Sequence, residues 1–441
     1  MIHSIHAAQR LDSRGNPTVQ VDVMTSQGSF RAIVPSGAST GATEAVELRD
    51  NVEDIYQGRG VLTAVQNVNE ILGPAVVDGN FDIRTQLKDI DNLMRSLDGT
   101  ANKSKLGANA ILGVSMACAR AGAAASGIPL YQFLRREAGL DENSDTIMPV
   151  PFFNVLNGGV HSGNTMAFQE FMIAPVGASS IGEAVRMGAE TYHHLKKVII
   201  QKWGSAAAGL GDEGGFSPPI REPREALDLL TAAVNQAGYR GRIKFGIDPA
   251  STEFFRRGSY DLGFKDTESR ELSPSALSKL YSELLNDYPI VLLEDPFAEE
   301  DWSSWCNYNA HCPIELVGDD LLTTNVERVK IAHELKACNS MLLKLNQIGT
   351  VTEAIEANNL CREFGWNVFV SHRSGETTDD FLADVVVGLG TGHLKSGAPA
   401  RGERVAKYNR LIDIEDELLA RSASCTYAGT HFNDIMWLRK T

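Results

Sequence analysis

From residue 290 onward the chain repeats one pattern: a short apolar run, rich in Val, Ile and Leu, stops at a charged side chain. The runs IVLLEDP, IELVGDD, SMLLKLNQ, WNVFVSHRS and HLKSGAP place Glu294, Asp319, Lys344, His372 and Lys395 at intervals of 25, 25, 28 and 23 residues. That interval is the length of one strand–helix unit of an α/β barrel. Upstream, PVPFFNVLNGG, FQEFMIAP, AAGLGDEGG and RIKFGIDP end in the same way, and helical patterns such as REALDLLTAAVNQAG, PSALSKLYSELLNDY and TEAIEANNLCREFG lie between runs. Apolar strands alternating with helices predict a parallel sheet covered on both faces. At least seven such units favour a closed barrel over an open sheet. Barrels of this kind gather their polar groups at the C-terminal strand ends. Glu170, Glu213, Asp248, Glu294, Asp319, Lys344, His372, Arg373, Ser374 and Lys395 are therefore expected around one pocket.

The first 140 residues read differently. SIHAAQRL, NPTVQVDVMTS and GSFRAIVP alternate as strands, with a hairpin turn expected at Gln27-Gly28. PSGASTG is a flexible loop, and a helix is expected to begin near Thr43 or Glu44. The loop reads either as a linker into a helix cap or as a lid whose Ser39 or Thr40 reaches a ligand. From Gly60 to Gly139 the periodicity is helical. The chain thus divides into an α+β domain over residues 1–140 and a barrel over 141–441, with DENSDT as the junction.

Composition excludes some functions. The formal charge is 41 − 56 = −15, which disfavours nucleic acid and anionic membranes as partners. Six cysteines show no metal-binding spacing and suit a reducing compartment. MIHSIHAAQRLDSRGN lacks the apolar core of a signal peptide, so a cytoplasmic location is expected. Gly107 to Gly127 is the most apolar long stretch, but its Ala, Gly and Arg120 suit an internal helix. Gly388, Gly390 and Gly392 lack the spacing of a dinucleotide-binding turn.

Asp248, Glu294 and Asp319 end three successive runs. Together they would repel one another unless a hard cation neutralised them, and carboxylates without His or Cys favour Mg²⁺ over Zn²⁺. Taken singly, each could equally cap the next helix. Arg373 and Ser374 offer a fork and a hydroxyl suited to phosphate, or a salt bridge with a cap. Lys344 beside Asp319 fits either a structural ion pair or a reactive amine. Glu170 lies between apolar residues, where a raised pKa is plausible, and Glu213 and His161 lie in glycine-rich loops.

The segments DSRGNPTV, SGASTG, NKSKLGANAILGVS, NVLNGG, QEFMIAPVGA, GDEGGFSP, EDPFAE, VGDDLLTTN, LLKLNQIGT, SHRSGET and SGAPARGERVAKYN resemble the enolase (phosphopyruvate hydratase) family over nearly the whole chain. The resemblance implies an N-terminal α+β capping domain on an eight-stranded α/β barrel. It also implies reversible, Mg²⁺-dependent dehydration of 2-phosphoglycerate to phosphoenolpyruvate by a homodimer or higher oligomer. Matched position by position, it makes Asp248, Glu294 and Asp319 the tight Mg²⁺ ligands and Ser39 a ligand of a second Mg²⁺. Lys344 becomes the base at C2, Glu213 the acid at the C3 hydroxyl and Glu170 its support. His161, Gln169, His372, Arg373, Ser374 and Lys395 match substrate-pocket positions. Departures from the family pattern are Pro249 after Asp248, Thr378, Gly402, and Gln20 and Asp413 in place of a pair that commonly crosses the dimer interface. They leave open a relative acting on another phosphorylated or phosphonate hydroxy acid; a binding protein without catalysis is the reading from another class.

Overall fold

A computed structural model describes residues 1–37, 41–142 and 144–439. Strands β1 (Ile2–Leu11), β2 (Pro17–Thr25) and β3 (Gly28–Ile33) form an antiparallel sheet in the order β1-β2-β3. Thr25 pairs with Gly28, so the turn residues are Ser26 and Gln27, one position earlier than expected, and Gly28 takes a φ of 133°. The alternation works as the sequence suggests: Val19, Val21 and Val23 are fully buried. They face helix α2 (Ala108–Ser126), which follows α1 (Leu87–Asp98). The glycines of α2 permit that approach, since a Cβ at Gly113 would lie 2.6 Å from a Val21 methyl. By length and composition α2 could cross a bilayer, yet 83% of its apolar stretch is buried inside the fold.

No helix begins at Thr43 or Glu44. Residues 41–50 run as an irregular segment whose backbone is bonded to distant partners: Ala45 N–H donates to Gln347 O (2.7 Å), Val46 N–H to Asn102 O (2.8 Å) and Asp50 N–H to Gly60 O (2.8 Å). These long-range bonds replace the intrahelical ones, so tertiary contacts override local propensity. Ser39 and Thr40 lie outside the described residues.

The barrel contains β4 (Val150–Asn157), β5 (Glu170–Ala174), β6 (Lys244–Asp248), β7 (Ile290–Glu294), β8 (Glu315–Gly318), β9 (Ser340–Leu343), β10 (Asn367–Ser371) and β11 (His393–Lys395), closed in that circular order. It is not wholly parallel. β5 runs antiparallel to both β4 and β6. AAGLGDEGG contributes no barrel strand and instead lies as a loop, anchored by a bridge between Phe216 and Leu156. The lumen is a separate apolar core that includes Phe152, Met172, Leu292, Val317, Leu342 and Phe369, with Phe432 and Leu438 of the C-terminal segment packed into it.

The two domains meet at a buried carboxyl. Asp91 on α1 accepts hydrogen bonds from Ser115 on α2 (3.0 Å) and from Thr352 Oγ1 (2.8 Å) at the start of α3 (Val351–Glu363). Burial pushes Asp91 up to about 7 despite those bonds. An acid raised in the folded state gives a contribution present below its unfolded value, about 4, and lost as pH rises through about 7. Asp91→Asn keeps the acceptor and cannot ionise. It is expected to raise the melting temperature at pH 8, by up to about 4 kcal/mol in stability, with the difference closing near pH 4. Equal melting curves at pH 8 would contradict this.

Candidate active site

Asp248 and Glu294 close β6 and β7, Asp319 and Lys344 follow β8 and β9, His372-Arg373-Ser374 follow β10, and Lys395 closes β11. Glu170 opens β5, but because that strand is reversed its first residue lies at the same barrel end, paired with Asp248. All of these except Glu294, together with His161, Gln169 and Glu213, line one cleft that opens to solvent. Glu294 lies against it through a 2.6 Å hydrogen bond from Lys395. Glu213 arrives on the loop. Phe216 pairs with Val155 and Asn157 of β4, and glycine is needed because a Cβ at Gly215 would lie 2.3 Å from Asn157 Oδ1.

Two lysines sit among the acids. Lys395 Nζ is 2.6 Å from Glu294, 3.2 Å from Glu170 and 3.6 Å from Asp248. Lys344 donates to Asp319, whose other oxygen accepts from Gln347 (2.8 Å). Burial lowers Lys344 most, but the surrounding carboxylates, Asp319 first and then Glu294, together carry the ammonium above its usual value. Burial and mutual repulsion raise Glu170 to about 8 and Asp248 to about 7, and lift Glu294 well above the ordinary range. Asp319 alone of the expected metal trio is held low, against burial, by Lys344 and then Lys395.

Glu170 and Glu213 are both fully enclosed, with His161 Nδ1 4.0 Å from one and 3.8 Å from the other. Burial raises Glu213, but His372, His161 and Arg404 carry it below the usual carboxylate range. Neighbouring carboxyls pushed in opposite directions retain one proton between them. His372 Nε2 stands 3.2 Å from Glu213, and Asn154 donates to the same oxygen (2.8 Å). Burial, then Arg404, holds His372 near 4 despite Glu213, so Glu213 feels an N–H dipole more than a full charge.

Several contributors have no signal in the sequence pattern. Arg373 is bound by Glu44 (2.9 Å) from the irregular N-terminal segment and by Asn346 (2.8 Å). Asp295 accepts the backbone N–H groups of Asp319 (2.8 Å) and Asp320 (2.9 Å). One oxygen each of Asp295, Asp319 and Asp320 lie within 4.8 Å of one another. The doublets Glu294-Asp295 and Asp319-Asp320 were the available clue. Ala250, Asp295, Thr323 and Thr324 all have positive φ, so some strained backbone lies in the loops that follow these strands.

The donor set suits a hard divalent cation. Around Glu170, Glu213, Asp248, Glu294, Asp295, Asp319 and Asp320, the fixed cations lining the cleft among the described residues are Lys344, Lys395 and Arg373. Glu294 Oε2, His161 Nδ1 and Gln169 Oε1 are buried without hydrogen-bond partners among the described residues. Buried polar atoms seldom stay unpaired, and oxygen donors of this density suit a hard divalent cation. Residues 2–134 match the model of the enolase N-terminal domain, and residues 145–436 match that of the enolase C-terminal TIM barrel domain. An α+β domain, a closed barrel with one reversed strand, an acidic cation-binding cleft and two domain matches spanning nearly the full length lead to one conclusion: the chain belongs to the enolase family, whose domains are those of lyase-type enzymes.

Proposed function

We propose that this chain reversibly dehydrates 2-phosphoglycerate to phosphoenolpyruvate, with Lys344 removing the C2 proton and the Glu213–Glu170 pair protonating the departing C3 hydroxyl. The observation that carries this reading is that an amine and a proton-holding carboxyl pair line one anionic cleft. A divalent cation, two in the full complex, would be held by Asp248, Glu294 and Asp319, with Ser39 at the second, and would supply electrostatic stabilisation of the negative charge that builds on the substrate carboxylate.

Lys344 must be neutral to accept a proton. Burial, Arg373 and Lys395 favour the neutral amine, and Asp319 is the main opposition. A cation sharing the Asp319 charge would weaken that opposition and leave Lys344 the better base. Lys395 and Gln169 suit the substrate carboxylate. Arg373 and Ser374 suit the phosphate, which would compete with Glu44 for the guanidinium. His161 closes the side beside the two glutamates.

The test is formation of the enol phosphate, followed by its ultraviolet absorbance, from 2-phosphoglycerate with Mg²⁺. Chelation by EDTA is expected to abolish the signal, and excess Mg²⁺ to restore it. One feature favours a second substrate in the same assay. Pro249 directly follows Asp248 and leads into Ala250, whose φ is 51° and whose N–H donates to Asp248 (2.8 Å). Inactivity on 2-phosphoglycerate with turnover of a phosphonate hydroxy acid would select that alternative.

A further inference from the structure

Arg404 sits at the start of helix α4 (Gly402–Ala420), and its side chain is fully buried. It does not reach the cleft lining. One nitrogen donates to His372 Nδ1 and to Arg373 O, each at 2.6 Å. The other terminal nitrogen donates to Ser374 O (2.6 Å) and to Asp212 O (3.1 Å). A single guanidinium therefore touches three consecutive residues after β10 and the residue before Glu213. A planar, permanently charged fork can hold four acceptors in fixed relative positions, which a lysine cannot.

The contact with His372 has a chemical consequence. Guanidinium nitrogens carry hydrogens and cannot accept one, so the hydrogen between Arg404 and Nδ1 belongs to arginine. His372 Nδ1 must then be a bare acceptor, and the neutral ring must carry its proton on Nε2. That nitrogen is the one 3.2 Å from Glu213 Oε2, close to it but off the line of a hydrogen bond. The ionisable groups that act on His372 are Glu213 and Glu376, which favour a charged ring, and Arg404, which opposes it. Lys407 engages Glu376 at 2.7 Å and so draws off part of that pull. A doubly protonated ring would set an N–H against an arginine N–H.

We infer that Arg404 is a positioning residue that locks His372 as the neutral, Nε2-protonated tautomer, so that His372 presents an N–H and not a charged ring to Glu213. This rests on the proposed role of Glu213, but the tautomer can be measured without any substrate. In the same step Arg404 sets the backbone of Arg373 and Ser374. Loss of Arg404 should therefore change how activity depends on pH, beyond lowering it.

Nitrogen-15 NMR of histidine-labelled protein, with the His372 signals assigned by their absence in His372→Gln, reads the tautomer directly. The expected result is a hydrogen on Nε2, none on Nδ1, and no titration between pH 5 and 8. A hydrogen on Nδ1, or titration near the ordinary histidine value of about 6.5, would overturn the inference whether or not 2-phosphoglycerate is turned over. In the enzyme, Arg404→Met is expected to lower kcat at least tenfold and add an ionisation near pH 6–7 to the kcat profile. Arg404→Met/His372→Gln, whose amide cannot titrate, is expected to lose that ionisation. A single variant with an unchanged pH profile would contradict the tautomer lock. If Arg404→Met does not fold, the wild-type NMR measurement decides alone.

Discussion

Lys344→Ala is expected to lower turnover by about 10²–10⁴-fold, the range for removing a general base, while leaving divalent-cation binding within a few-fold of wild type. The two effects separate because Lys344 is not a candidate ligand. It donates to one oxygen of Asp319, and Gln347 holds the other. Removing the ammonium frees an Asp319 lone pair for the cation, so affinity should hold or rise. Isothermal titration with Mg²⁺ and steady-state assays on the same preparation check both halves. A variant that loses cation binding together with activity would return Lys344 to the role of a structural ion-pair partner.

Lys395→Met is expected to destabilise the cation-free protein, by up to roughly 3–5 kcal/mol to the extent that the carboxyls around it are ionised, the cost of leaving buried charges without their partner. Lys395 lies within 3.6 Å of Glu170, Asp248 and Glu294, and it is buried with them. Methionine matches the stem but leaves those carboxyls facing one another. Two responses are open to them: further protonation, or capture of a cation. The melting temperature of the variant should therefore rise more with added Mg²⁺ than that of wild type, because a ligand that binds only the folded state stabilises it by mass action. Substrate affinity should fall as well, since the proposed partner of the substrate carboxylate is gone. An unchanged melting temperature without Mg²⁺ would show that the carboxyls are already neutral.

The barrel was legible because its strands are buried on both sides and read as apolar runs of fixed spacing. The same periodicity located Asp248, Glu294, Asp319, Lys344 and Lys395 without any contact information. Direction was less legible: FQEFMIAP looks like its neighbours, and only pairing reveals that β5 is reversed. AAGLGDEGG also resembled a strand end, although its glycines serve a loop pressed against β4. The helix expected at Thr43 fails because Ala45 and Val46 bond to segments more than fifty residues away. Glu44 and Arg373 are 329 positions apart, and Arg404 and His372 are 32 apart. Local pattern carries no trace of such pairs. Asp295 was visible as a neighbouring acid, but its role depends on the two backbone N–H groups it accepts.

In the proposed reaction Lys344 removes a proton from C2 of a phosphorylated hydroxy acid. Loss of the C2 proton signal of 2-phosphoglycerate in deuterated water, followed by proton NMR with Mg²⁺ present, tests it most directly. Wild type is predicted to exchange that proton along with turnover, and Lys344→Ala to show no exchange above the enzyme-free rate with its Mg²⁺ site filled. Exchange that persists in Lys344→Ala would contradict the account.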